Sequence, residues 1–186
     1  MNVYDFDGTI YKGDSSLDFF RFELSKNGRL FKYIPKILNA YIKFLNKQIS
    51  KTEFKEAVFE YLKDVSEIDK DVFEFWSTYK NKIYPWYLNQ KKDDDIIVSA
   101  GPEFLLKPIC NELGVKLIAT KVDAKTGRID GINNNDNEKL RRLRECGVVH
   151  IDSFYSDSAS EVVIAEKADK AYFIKNGRIT KWQIKK

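Results

Sequence analysis

Cysteine and histidine are scarce in this sequence. Its 186 residues include two cysteines, Cys110 and Cys146, and one histidine, His150. A structural zinc site needs about four Cys or His ligands, and a Ser-His-Asp or Cys-His centre needs a histidine beside its nucleophile. The spacing of these three residues suits neither arrangement. Any catalysis by this chain would therefore depend on carboxylates, lysines, hydroxyl groups and a hard metal ion.

Long apolar runs are also missing. No stretch of about 18 or more apolar residues occurs, and the first residues lack the charged and apolar regions of a secretory leader. We therefore expect a cytoplasmic protein. The formal net charge of +4 favours anionic substrates and leaves contact with a membrane surface open. It is too small to predict nucleic-acid binding, and nothing in the sequence indicates an oligomeric state.

Short apolar segments alternate with helical patterns over much of the chain. Such alternation is typical of α/β proteins with a parallel sheet. The predicted strands cover residues 2–6, 96–98, 115–119, 148–155 and 171–174, and the helices between them cover residues 103–113, 137–146 and 159–166. Two β-hairpins are expected, one over residues 121–132 and one at residues 171–180.

A long helical insert separates the first predicted strand from the second. Apolar residues recur there at three- and four-residue steps, and Ser50 with Glu53 predicts a capping box. The insert is too long for an ordinary crossover connection. We therefore predict an α/β core of residues 1–14 and 87–186, with a helical domain of residues 15–86 over the end of the first strand.

Two aspartates, Asp5 and Asp7, directly follow the first predicted strand. Ligands of open α/β sheets bind at the carboxyl ends of the strands, which is where this pair lies. One carboxylate can act there as a nucleophile while its neighbour transfers a proton. An acidic surface turn is the alternative interpretation. Because a buried strand rarely ends in two aspartates without a use for them, we favour the functional interpretation.

The segment DFDGT, residues 5–9, resembles the DxDGT signature of the haloacid dehalogenase (HAD) superfamily of phosphohydrolases. Three further segments resemble the other motifs of that superfamily, in the same order along the chain. They contain Ser99 after the second core strand, Lys139 in a basic helix, and Asp157 with Glu161 after the fourth core strand. The resemblance implies a Rossmann-like core with an inserted helical cap.

The resemblance assigns the catalytic roles. Asp5 would attack the substrate phosphate and form an aspartyl-phosphate, and Asp7 would act as general acid and base. Ser99 would donate to a phosphate oxygen, and Lys139 would offset the charge of the phosphate. Three small residues are expected beside the substrate: Gly8, Ala100 and Gly101.

The resemblance also implies a Mg²⁺ cofactor. Its ligands would be the Asp5 and Asp157 carboxylates and the Asp7 backbone carbonyl, with Glu161 in support through water or a hydrogen bond. This set suits Mg²⁺, which prefers oxygen ligands and keeps several waters. Without the family, Ser99 and Asp157 would be interpreted as helix N-caps, and residues 133–137 as a polar loop.

The insert resembles the type C1 cap of the phosphoserine phosphatase-like branch. Asp14 stands at the position where phosphoserine phosphatases carry a glutamate for the substrate amine. We therefore expect hydrolysis of a small phosphorylated metabolite. The Phe, Tyr and Lys residues of the insert also suit a lipid head group such as phosphatidylglycerophosphate. A phosphotransferase and a catalytically idle phospholigand-binding module are the remaining alternatives.

Overall fold

The fold is built on a single six-stranded sheet. A computed structural model describes residues 1–183 of the chain. The strands are β1 (Asn2–Tyr4), β2 (Ile96–Pro102), β3 (Lys116–Thr120), β4 (Ile151–Ser156), β5 (Ala168–Lys175) and β6 (Arg178–Lys181). Their order in the sheet is β3-β2-β1-β4-β5-β6. The first five strands are parallel, and β6 pairs antiparallel with β5. The predicted α/β fold with a Rossmann-like parallel sheet is confirmed.

Strand β1 lies in the middle of the sheet, and both of its faces are covered. Val3 and Tyr4 are fully buried although successive strand residues point to opposite faces. Val3 packs in one apolar cluster with Phe154, whereas Tyr4 packs in the other cluster. The chain order of the strands reverses between β1 and β4. Open α/β sheets bind their ligands outside the carboxyl ends of the strands at such a point.

Helices fill the connection between β1 and β2. They are α1 (Ser15–Lys26), α2 (Ile34–Leu45), α3 (Lys51–Phe59), α4 (Ile68–Tyr79) and α5 (Pro85–Gln90). The later connections contain α6 (Glu103–Leu113), α7 (Asn137–Glu145) and α8 (Val162–Ala165). Short 3₁₀ segments lie at Gly28–Tyr33, Glu60–Asp64, Lys80–Lys82 and Ala159–Glu161. Within residues 1–183, no helix is both long enough and apolar enough to cross a bilayer.

Local sequence signals account for several of these boundaries. The Asp14 side chain accepts a hydrogen bond from the Leu17 amide and begins α1. The predicted capping box of α3 is present, since Ser50 and Glu53 each accept from the other's backbone amide. Gly114 ends α6 in the left-handed conformation that favours glycine. The insert therefore starts and continues where the sequence indicates.

The hairpin predicted over residues 121–132 is largely absent. Only one bridge forms there, between Val122 and Ile129. The Ile129 amide donates to Glu56 of α3 at 3.0 Å and not to a partner strand. Gly127 also lies against α3, because a Cβ atom at this residue would be 2.3 Å from the Phe59 carbonyl oxygen. The segment is thus a loop that packs on the helical insert. The second predicted hairpin is confirmed by the pairing of β5 with β6.

Candidate active site

A buried lysine joins two carboxylates at the carboxyl ends of β1 and β4. Lys139 of α7 is 1% exposed, and its Nζ lies 2.8 Å from Asp5 Oδ1. The same Nζ donates to Glu161 Oε1. Burial alone would lower the pKa of Lys139, but the charges of Asp5 and Glu161 raise it above its usual value. Lys139 is therefore a fixed positive charge beside Asp5.

Asp5 is held in place by backbone contacts as well. Its amide donates to the Tyr155 carbonyl of β4 at 2.9 Å, which continues the β1–β4 pairing by one residue. Its Oδ1 accepts from the Phe6 amide at 2.8 Å. The second carboxylate oxygen, Oδ2, makes no hydrogen bond within residues 1–183. Asp5 also lines a cavity beneath the helical insert, so this carboxylate can meet a bound ligand.

Asp7 lies in the turn after β1 and faces the same cavity. Its Oδ1 accepts from the Ser15 amide at the start of α1, at 2.6 Å. Burial raises the pKa of Asp7 well above its usual range, and the nearby charges of Asp14 and Asp5 raise it further. A raised pKa favours the protonated carboxyl. The environment of Asp7 therefore differs from that of Asp5, as a proton donor and a nucleophile require.

Asp157 follows β4 and lies against the turn that contains Gly8 and Thr9. Its amide donates to the Thr9 hydroxyl at 3.0 Å. A Cβ atom on Gly8 would lie 2.0 Å from Asp157 Oδ2. Asp157 is not a helix N-cap, because the next helical segment begins after Ser158 and has no side-chain cap. The glycine in DFDGT thus gives the Asp157 carboxylate its place beside the turn.

The carboxylates around Asp5 fit a hard divalent cation. Burial and the charge of Asp5 both raise the pKa of Asp157, so the two carboxylates repel each other in the absence of a cation. Glu161 Oε2 is buried without a hydrogen-bond partner among the described residues. An oxygen-only donor set with a nearby acceptor suits Mg²⁺ and its bound waters. Glu161 itself bonds Lys139, so in this structure it positions that lysine.

Ser99 and Gly101 close the cavity at the end of β2. Ser99 is fully buried, and its Oγ accepts from the Gly101 amide at 2.9 Å. A Cβ atom on Gly101 would lie 3.2 Å from Ser99 Oγ and 3.5 Å from Asp7 Oδ2. Ser99 is not the N-cap of α6, which begins after Pro102. Its hydroxyl proton therefore remains available to a ligand beside Asp7.

The sequence matches the family model of haloacid dehalogenase-like hydrolases over residues 3–162. This match includes every residue of the site described above. The chain belongs to this hydrolase family. The predicted HAD membership is therefore confirmed. No curated protein matches the sequence.

Solved structures with the same fold resemble this hydrolase at low sequence identity. A Bordetella pertussis Tohama I protein of unknown function is 20% identical, with a TM-score of 0.76 over 92% of this chain and 87% of that one. A phosphoserine phosphohydrolase-like protein from Francisella tularensis is 20% identical, with a TM-score of 0.56 over 92% and 86%. A phosphoserine phosphatase is 17% identical, with a TM-score of 0.54 over 91% and 83%. These likenesses support the fold.

The hydrolase brings together all the residues that its sequence singled out. One cavity is lined by most of them: Asp5, Asp7, Asp14, Ser99, Ala100 and Gly101. Lys139 and Glu161 adjoin it through Asp5, and Asp157 adjoins it from the Gly8 side. Asp14 lines the cavity and also caps α1.

Sequence analysis missed three residues of this region. Lys55 of α3 donates to the Ala100 carbonyl and to Asn133 Oδ1, both at 2.7 Å. Asn134 donates to the carbonyls of Ser99 and Ile118, at 2.8 and 3.0 Å. The polar loop expected at residues 133–137 therefore begins with two buried asparagines that support the end of β2. Only the run of asparagines after a loop could have signalled this role.

A separate group of metal-binding residue types lies at the opposite edge of the sheet. It consists of His150, Asp152 and Asp169, near the starts of β4 and β5. His150 is exposed, and the N-terminal amine bonds Asp152 at 2.7 Å. Because ligands of this fold bind at the carboxyl ends of the strands, this group takes no part in the site around Asp5.

Replacing Gly8 tests the arrangement of the turn and Asp157. Gly8 has a φ of 69°, which costs other residues about 1–2 kcal/mol, and an added Cβ would displace Asp157. We expect Gly8→Ala to lower Tm by roughly 2–8 °C. Gly28→Ala is the matched control, since nothing lies within 4 Å of its Cβ position. Thermal unfolding followed by circular dichroism measures both variants, and equal Tm values for the two would contradict this arrangement.

Proposed function

We propose that this hydrolase is a Mg²⁺-dependent phosphomonoesterase in which Asp5 attacks the phosphorus atom of the substrate. The observation that carries the proposal is the contact of Lys139 Nζ with Asp5 Oδ1 at the carboxyl end of β1. A fixed positive charge beside a carboxylate lowers the repulsion between that carboxylate and a phosphate. The names of the similar phosphoserine phosphatase structures agree with this reaction.

The proposed reaction has two steps. In the first step, an Asp5 carboxylate oxygen bonds to phosphorus while the bond from phosphorus to the ester oxygen breaks. The departing oxygen takes the proton of Asp7, whose raised pKa keeps it protonated. In the second step, Asp7 takes a proton from water as that water attacks the phosphorus of the aspartyl-phosphate. Inorganic phosphate leaves, and Asp5 and protonated Asp7 are restored.

The remaining residues hold and neutralise the phosphate. Ser99 has a hydroxyl proton to donate to a phosphate oxygen, and Lys139 offsets the charge on Asp5 and the phosphate. The Asp5 and Asp157 carboxylates and the Asp7 carbonyl would hold Mg²⁺. When bound, Mg²⁺ would offset further negative charge on the transferring phosphoryl group.

Residues 15–86 serve in this proposal as a cap over a core of residues 1–14 and 87–186. Its support is a set of contacts from α3 of the insert to the core. Lys55 reaches the Ala100 carbonyl after β2, and Glu56 accepts from the Ile129 amide and pairs with Arg128. A cap held over the site excludes water from the reacting groups.

An idle phospholigand-binding module is the less favoured alternative. Such a module has no need of a nucleophile, a proton donor and a buried lysine in contact, yet this chain keeps all three. A phosphotransferase would share the first step and differ only in the acceptor of the phosphoryl group. No contact in residues 1–183 favours an acceptor other than water.

Asp5→Asn tests the nucleophile. The amide keeps the shape of the side chain but cannot form an aspartyl-phosphate, so hydrolysis of p-nitrophenyl phosphate with Mg²⁺ should fall by about 1,000-fold or more. Asp169→Asn, an exposed residue outside the site, is the control and should keep full activity. Release of p-nitrophenol measures both. Activity surviving in Asp5→Asn would exclude Asp5 as the nucleophile.

Lys55 gives a pH-dependent prediction. Burial, followed by the charges of Lys51 and Lys139, lowers the pKa of Lys55 to about 8. Two of its three protons bond Ala100 and Asn133, which leaves one for an anionic substrate in the cavity. The positive charge is present below pH 8 and is lost as pH rises, so Lys55→Met should raise KM at pH 7 and change it little at pH 9.5.

The readout for Lys55 is the ratio of the KM of the variant to that of the wild type, measured from pH 7 to pH 9.5. This ratio cancels the pH dependence of every other group. We expect it to fall toward one across this range. Lys107→Met, on the exposed side of α6, is the control. A ratio for Lys55→Met that is independent of pH would contradict a charge-based role.

A further inference from the structure

The cavity above Asp5 and Asp7 is large for a small phosphorylated metabolite. Its volume is about 630 Å³, in the range of roughly 300–1,000 Å³ that is typical of sites for drug-sized ligands. The catalytic residues occupy one end of it. Most of the remaining wall comes from apolar side chains of the helical insert, among them Leu17, Phe20, Leu24, Ile37, Leu38 and Phe54.

The charged residues of the wall are largely engaged by other groups. Lys55 bonds the core, Arg21 pairs with Asp18, and Asp14 caps α1. Lys51 is exposed at the end of α3. An ammonium or carboxylate group on the substrate would have to lie against apolar side chains without a dedicated partner, which is costly. The wall therefore favours an apolar group on the alcohol side of the phosphate ester.

An apolar stripe continues from the cavity along the outside of α2. Leu38 lines the cavity and is 56% exposed, and Ile42 and Leu45 are 57% and 60% exposed. Their spacing of four and three residues puts them on one face of the helix. Apolar side chains so exposed and so aligned are unusual on a soluble surface and mark a surface that contacts apolar material.

The segment that carries this stripe is strongly basic. Residues 28–52 contain six basic residues and no acidic residue: Arg29, Lys32, Lys36, Lys43, Lys47 and Lys51. An amphipathic helix with an exposed apolar face and flanking lysines is typical of segments that lie in the interface of an anionic lipid surface. A phosphate-bearing lipid would itself contribute to such a surface.

We propose that the substrate is the phosphate monoester of a long apolar alcohol, presented at a lipid surface. The phosphate lies at Asp5, the apolar chain fills the cavity past Leu38, and the α2 stripe rests on the lipid surface. This inference rests on the proposed phosphomonoesterase reaction. Asp5 takes the phosphoryl group, the ester oxygen leaves with the Asp7 proton, and the products are the free alcohol and inorganic phosphate.

Monoalkyl phosphates test the substrate class. Ethyl, hexyl and decyl phosphate, each as free monomers with Mg²⁺, should be hydrolysed with a kcat/KM that rises at least about tenfold from ethyl to decyl. Leu38→Ser should reduce that ratio, whereas Phe73→Ser, exposed on α4 and away from the cavity, should not. A ratio near or below one, with phosphoserine hydrolysed best, would overturn the inference while leaving the phosphatase reaction intact. No phosphate release from any ester would overturn both.

Vesicles test the source of the substrate. The wild type should sediment with phosphatidylcholine vesicles that contain phosphatidic acid and should release phosphate from them. The double variant Ile42→Ser/Leu45→Ser should lose several-fold in both measurements and keep its rate on monomeric decyl phosphate. Phe73→Ser is again the control. If the double variant matched the wild type on vesicles, the lipid surface would be excluded as the source and free amphiphiles would remain.

Discussion

The buried ammonium of Lys139 constrains the rest of this site. A lysine removed from water must be paired, and here Asp5 and Glu161 supply the pairing from the ends of β1 and from the segment after β4. That requirement fixes α7 against the sheet and fixes the Asp5 carboxylate beside a positive charge. Asp5 is thereby kept ionised where a phosphate will bind, while Asp7, two residues later and without such a partner, has a raised pKa. The two aspartates of one short turn acquire different chemistry from their surroundings.

The helical insert depends on the same core through a few polar contacts of α3. Lys55 bonds the strand end that carries Ser99, and Glu56 takes the amide of Ile129. These contacts hold the insert over the catalytic carboxylates and leave an apolar cavity between the two parts. The core therefore determines the reaction, whereas the walls supplied by α1, α2 and α3 determine which alcohol can accompany the phosphate into the site.

Much of this could be predicted from sequence, because the signals are local. Alternating periodicity gives the parallel sheet, Ser50 with Glu53 gives the start of α3, and the four short motifs give the family and the site. What could not be predicted depends on contacts between distant residues. Lys55 is one of many lysines in the insert, and nothing beside it in the sequence marks its contact with Ala100. The hairpin expected at residues 121–132 failed for the same reason, since Glu56 of a distant helix takes the amide that a partner strand would have used.

The central claim is that the phosphoryl group passes through Asp5. The most direct measurement is rapid acid quenching of the enzyme with Mg²⁺ and p-nitrophenyl phosphate labelled with radioactive phosphorus, followed by peptide mapping. The account predicts label on the N-terminal peptide that contains Asp5, stable in acid and released by hydroxylamine, as an acyl phosphate should be. Turnover of the labelled ester with no protein-bound label, or with label on a peptide from another part of the chain, would contradict it.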